Sequence, residues 1–261
     1  MEVADFSVLS KTAPLKSLLK VKVGRGGRGH GRISTRHQGG GVKQRYRAVD
    51  FGEKNFGQSG VVEAIEYDPN RTAFIARIQW QQGDRSYVLA PQGLTVGLRV
   101  KIAESAQLEL GNRMRLKHMP AGTLVHNVEL VPGRGGVLAR SAGNYAEVMA
   151  HEGKYTNLKM PSGEVRKVLS EGFASVGQLS RAEHSLVSIG KAGRMRWMGI
   201  RPTVRGSAMN PRDHPYGAGE GRQPRGTRKP KTKWGKVTGG RKTRRKKKWS
   251  NQFILQRRTK K

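Results

Sequence analysis

Cysteine is absent from the 261-residue chain, which excludes a disulfide framework and thiolate-ligated zinc. Acids are scarce: 18 Asp plus Glu face 51 Lys plus Arg, a formal net charge of +33. Self-repulsion on that scale disfavours an isolated compact monomer and points to a polyanionic partner, usually nucleic acid. No run approaches the roughly 18 apolar residues of a membrane-spanning helix. The first twenty residues carry Glu2 and Asp5 and lack an apolar leader core, so no secretory signal is expected.

Signatures of catalysis are missing too. There is no G-x-S-x-G elbow, no H-E-x-x-H pair and no P-loop lysine motif. His30, His37, His118, His126, His151, His184 and His214 show no metal-ligand spacing. Asp213-His214 is the one local pair with a chemical look, since a carboxylate can orient an imidazole. Ser207 is a nucleophile only on paper, and Glu220 is the one further acid nearby, in a glycine loop. His214 reads as an RNA- or loop-positioning residue, with a solvent-facing or a catalytic role as the rivals. No catalytic residue, metal ligand or cofactor is assigned, and the chain is not expected to be an enzyme.

What is present is charge, unevenly spread. Residues 11–47 hold eleven Lys or Arg and no acid; residues 222–261 hold 18 and no acid. Residues 48–221 hold 22 basic and 16 acidic residues. A nearly balanced body lies between two basic arms, a pattern of nucleic-acid-binding tails. The first arm is rich in glycine, including the Gly39-Gly40-Gly41 triplet, and cannot bury a core. It reads as a segment shaped by RNA, or else as a solubilising disordered tail.

Strand character begins near residue 59. Segments 59–66, 72–80, 85–90 and 97–102 are short and rich in β-branched and aromatic residues, separated by Asp68-Pro69-Asn70, Gln82-Gly83-Asp84 and Pro91-Gln92-Gly93. Phe74, Ala76, Ile78 and Trp80 alternate and are expected to share one face. A second series follows at 113–118, 123–130, 136–139, 145–150, 155–160, 165–169 and 173–176. The expectation is an all-β chain of two small barrels with irregular basic extensions. Its divisions are residues 1–47, 48–104, 105–190 and 191–261.

Residues 193–221 have neither a helical nor a strand period, and their Pro and Gly mark repeated turns. In the tail, Trp234, Trp249 and Phe253 stand among cations, a mixture suited to base stacking and phosphate neutralisation together. Residues expected to meet RNA in the first arm are Arg25, Arg28, Arg32, Arg36, His37, Lys43, Arg45 and Arg47. Arg134 and Arg140 lie in turns and read equally as surface residues or phosphate contacts. The irregular stretch adds Arg194, Arg196, Trp197, Arg201, Arg205, Asn210, Arg212, Asp213, His214 and Tyr216; Trp197 and Met198 read as local core or as base stackers. The tail adds Arg222, Lys231, Trp234, Arg241, Arg244, Arg245, Lys246, Lys247, Lys248 and Trp249.

Ordered motifs then carry a resemblance. They include RISTRHQGGGVKQRYR at 32–47, VEAIEYDPNR at 62–71, YVLAPQGL at 87–94, GTLVHNVEL at 122–130, RSAG at 140–143, GKAGRMRWMG at 190–199 and RPTVRGSAMNPRDHP at 201–215. Over roughly residues 15–258 the chain resembles the large-subunit ribosomal protein L2 family in its bacterial or organellar form. The resemblance implies an OB-fold followed by an SH3-like barrel, with extensions penetrating large-subunit ribosomal RNA. It implies a structural, primary RNA binder that supports subunit association, tRNA binding and the peptidyl-transferase region. Implied partners are ribosomal RNA, neighbouring ribosomal proteins and the small subunit at an intersubunit bridge, with no membrane and one copy per ribosome. Implied ions are only the magnesium of the RNA, and the implied location is the ribosome, cytoplasmic or organellar. The family usually continues DHPHGGG where this chain has Tyr216 and Ala218, so a second histidine is lost. The rival reading is a general RNA binder outside the ribosome.

Overall fold

The computed structural model describes residues 5–21, 28–219, 226–240 and 242–258. Two compact units are formed. Met1–Val23, Lys43–Ser188 and Ser250–Lys261 make the first; Gly24–Val42 and Ile189–Trp249 make the second. The short strands β1 (Leu19–Val21), β2 (Arg28–Gly29), β3 (Arg32–Ile33) and β4 (Arg45–Arg47) form two ribbons, β1 with β4 and β2 with β3.

The first unit contains β5 (Ser59–Glu66), β6 (Ile75–Trp80), β7 (Arg85–Leu89) and β8 (Arg99–Lys101), an antiparallel sheet in the order β7-β6-β5-β8. Alternation decides its core. Phe74, Ala76, Ile78 and Trp80 all pack inward, against Val62, Ile65, Leu94 and Val100. The register shifts between Val62 and Ala64. Glu63, at that shift, accepts from Arg77 Nε and Arg85 Nε at 2.9 Å each.

Next come β9 (Arg113–Arg115), β10 (Leu124–His126), β11 (Val128–Glu129), β12 (Gly136–Leu138), β13 (Ala146–Glu152), β14 (Tyr155–Lys159), β15 (Val165–Leu169) and β16 (Phe173–Val176). In the second unit, α1 (Ala192–Trp197) is six residues long; β17 (Ile254–Gln256) returns to the first unit. Seven strands form a sheet in the order β17-β15-β14-β13-β10-β16-β9, and β11-β12 is a separate ribbon. Met114, Leu116, Met119, Val125, Val148 and Leu158 are fully buried in its core.

Neither sheet closes, and the expectation of two barrels, OB-fold and SH3-like, is overturned. Closure requires the first and last strands of a sheet to pair with each other. Here β7 and β8 remain opposite edges of one sheet, β17 and β9 of the other. Isolated bridges flank these edges instead: Val49 lies beside Tyr87, and Ile102 beside Arg113. A three-residue β8 offers too short an edge to continue the ladder around.

Buried polar groups fix the first unit further. Arg113 donates Nε to Glu53 Oε1 at 2.9 Å and Nη1 to the Asn127 carbonyl at 2.8 Å. Its Nη2 lies 3.6 Å from Glu129 Oε1. A guanidinium withdrawn from water needs such compensation. His126 is buried, and its Nδ1 lies 2.9 Å from the Gly177 carbonyl. An acceptor there assigns the proton to Nδ1. Burial, reinforced by the Arg113 charge and opposed by that carbonyl, lowers its pKa to about 4.

Candidate nucleic-acid interface

The second unit collects charge, and its described residues make no core. Its two segments contain 24 Lys or Arg and only two acids, Asp213 and Glu220. Among its described residues Gly199 alone is buried. Its shape comes from backbone bonds. The Gly39 N–H donates to the Gly199 carbonyl at 3.0 Å, Val42 to Trp197 at 3.0 Å, and Arg201 to His37 at 3.1 Å. Residues 37–42 therefore lie along the end of α1 and the turn that follows it.

α1 is a correction to the irregular reading of 193–221. Its six residues are too few to show a period, and Gly199 (φ 80°) follows its end. Arg194 is exposed and donates to the Ile189 carbonyl at 3.2 Å. Arg196 is half-buried, and its Nη1 is enclosed without a partner among the described residues. Trp197 and Met198 are exposed by 56% and 48%, so neither is core. Lys191 Nζ lies 5.8 Å from the Trp197 ring centroid.

Downstream, Arg205 is exposed before the 3-10 turn Gly206–Ala208. A side chain at Gly206 would put its Cβ 2.6 Å from the His214 ring, so glycine is needed for that close approach. His214 Nδ1 accepts from the Tyr216 N–H at 3.1 Å, which assigns the ring proton to Nε2. The two rings sit 5.0 Å apart. Asp213 is exposed, and among the described residues no bond joins its carboxylate to the imidazole. The sequence-level Asp-His pair is therefore not assembled. Asn210 and Arg212 are exposed, and the Asn210 carbonyl accepts from Asp213 N–H at 3.0 Å.

Two family models match in tandem. The one described as Ribosomal Proteins L2, RNA binding N-terminal domain, covers residues 15–102. The other, Ribosomal Proteins L2, C-terminal domain, covers residues 109–235. The chain belongs to the ribosomal protein L2 family. It is a structural, RNA-binding component of the large ribosomal subunit, and its partners are ribosomal RNA and other ribosomal proteins. L2 proteins are structural rather than enzymatic.

In this L2-family chain, Tyr216 ties two loops together. Its hydroxyl receives the Lys231 N–H and lies 3.3 Å from Thr227 Oγ1. Lys231 is half-buried and bridges to Val237, so Trp234 is carried at the tip of a turn. Trp234 is 69% exposed; Lys233 Nζ and Arg36 Cζ lie 4.7 and 5.9 Å from its centroid. Arg32 lies in β3 and is exposed, as are Arg36, Arg201 and the run Arg244, Arg245, Lys246, Lys247, Lys248 and Trp249; His37 is partly buried. Arg25, Arg222, Arg241 and the Arg28 side chain lie outside the described residues.

The remaining candidates lie on the first unit. Lys43 and Arg45 are exposed; Arg47 is half-buried, with Nη1 donating to the Arg45 carbonyl at 3.0 Å. Arg140 donates to the Gly136 carbonyl at 3.1 Å and lies over the Phe51 ring at 4.6 Å. Arg134 is exposed on a loop held from beneath by Glu129, whose carboxylate is fully buried. That carboxylate accepts the N–H groups of Gly135 (2.7 Å), Phe173 (3.1 Å) and Gly133 (3.3 Å). Sequence reasoning passed over Glu129, Lys191 and Lys233. The two lysines each stand close to a tryptophan in sequence; nothing local marks Glu129.

Proposed function

We propose that large-subunit ribosomal RNA covers the second unit and, separately, the Arg134 loop of the first. One observation carries this reading: 24 cations against two acids, in a unit with a single buried described residue. Such a unit gains most when phosphates neutralise it and bases cover its exposed indoles. Residues 1–47 and 191–261 then act as RNA-embedded extensions of two β regions, 48–104 and 105–190. In this role the chain supports subunit association, including a small-subunit bridge contact, as well as tRNA binding and the peptidyl-transferase region. The ribosome concerned is of bacterial or organellar type. His214 positions its loop against RNA and does not perform the chemistry.

Chemical footprinting of large-subunit ribosomal RNA with and without the chain tests this reading. Protections should cluster where tethered cleavage from positions 197 and 234 maps. Protections that map instead to the two sheets would overturn it.

A further inference from the structure

We infer that the Gly39–Gly41 triplet, with Arg196 and Arg201, forms a discrete site for one phosphodiester group of ribosomal RNA. The inference rests on the RNA-covered reading of the second unit. The triplet is held at both ends, by Gly39 N–H on the Gly199 carbonyl and Val42 N–H on the Trp197 carbonyl, each at 3.0 Å. Between those bonds, the N–H groups of Gly40 and Gly41 have no partner among the described residues, and both glycines are exposed. The φ angles of Gly40 and Gly41, 63° and 96°, are in the left-handed region that favours glycine. A Cβ at Gly41 would lie 3.0 Å from the Gly199 backbone, so glycine is needed for this close approach.

Two arginine side chains border the same backbone, Arg196 through its guanidinium and Arg201 through its Cδ methylene. A Cβ built on Gly40 would lie 3.8 Å from Arg196 Nη2, and one on Gly39 would lie 3.6 Å from Arg201 Cδ. Arg196 Nη1 is buried and has no partner among the described residues. Backbone donors beside a planar fork suit the oxygens of a phosphate, which accept from both at once. Inorganic phosphate shares that chemistry, so the experiment separates the two sources.

The full chain, labelled with 15N, is titrated with inorganic phosphate, with a short RNA oligonucleotide, and with its methylphosphonate counterpart of neutral backbone. The Gly40 and Gly41 amide resonances should shift saturably with natural RNA, less tightly with phosphate, and not with the neutral oligonucleotide. Arg196→Gln should abolish the shift and weaken binding to a large-subunit ribosomal RNA fragment about fivefold, with the salt slope shallower by about 0.7. Arg196→Lys should recover only part of the affinity, because it keeps charge without the fork. Protection of the Val42 amide from exchange reports whether the variant keeps its fold. Where protection is lost, Arg201→Gln, whose residue is exposed, replaces it. Unmoved amides, or equal shifts with the neutral oligonucleotide, overturn the site while binding of the RNA fragment leaves the broader reading intact. A chain that does not bind the fragment overturns both.

Discussion

The carboxylate of Glu129 accepts the N–H of Gly135 at 2.7 Å, from a position with no solvent exposure. Its other bonds reach Gly133 and Phe173, and Arg113 approaches to 3.6 Å. An acid at the root of a basic loop thus sets the position of Arg134. Neutralising it removes one of the two carboxylates that compensate Arg113, the other being Glu53, and places an amide donor among N–H groups. Glu129→Gln is expected to lower stability by about 2–4 kcal/mol. Urea denaturation measures this, with Arg134→Ala, on the exposed side of the loop, expected to stay near wild type.

His126 gives the first unit an acid-sensitive element. In the unfolded chain its imidazole titrates near 6.5; in the fold burial holds it at about 4. Between those values the unfolded state binds more protons, so stability is lost as pH falls through the window. The limit is about 1.4 kcal/mol per pH unit, roughly 3 kcal/mol in all. Burial raises the carboxyls of Glu53 and Glu66, an effect of the opposite sign. The comparison with His126→Gln, whose amide can still donate to Gly177, therefore isolates the histidine. The variant should lose less stability than wild type as pH falls from 7 to 5, and equal slopes would contradict the assignment.

The tail cations should act through phosphate number. Replacing Arg244, Arg245, Lys246, Lys247 and Lys248 by Gln should flatten the log affinity against log salt by roughly 0.7 per lost contact. Fluorescence anisotropy with a large-subunit ribosomal RNA fragment across a KCl series reads the slope. An unchanged slope would place this run away from phosphate.

Gly206 and His214 form a steric pair. With Cβ 2.6 Å from the ring, Gly206→Ala must displace the imidazole and break its bond with the Tyr216 N–H. The cost is expected at about 1–2 kcal/mol. The 15N resonances of the ring should report loss of the Nε2–H tautomer preference. In the double variant with His214→Ala the clash disappears, and a cycle of the four proteins should show that recovery.

Tyr216 and the tail are held by bonds that local pattern does not announce. Tyr216→Phe removes only the hydroxyl that receives the Lys231 N–H. Exchange of the Lys231 amide should accelerate about tenfold or more, while that of Val42, in the other part of the unit, stays unchanged. Equal protection in both proteins would mean that the hydroxyl does not hold the turn.

Much of this was written locally. Alternation set the inward face of Phe74, Ala76, Ile78 and Trp80, and turn formers such as Asp68-Pro69-Asn70 separated the strands, because a strand's two-residue period is a property of neighbours. The charge segregation, and the ordered motifs from residue 32 to 215, point to RNA and to the family from sequence alone. Tertiary structure alone decided the rest. Whether a sheet closes depends on how far its edge strands run and which edges meet, and β7 and β8 do not. The bond from Gly39 to Gly199, and the clamp of Glu129 on Gly133, Gly135 and Phe173, join backbone groups whose partners are fixed only by the folded path of the chain. Sequence carries side-chain period and charge; which distant backbone donor meets which acceptor is settled when the chain folds.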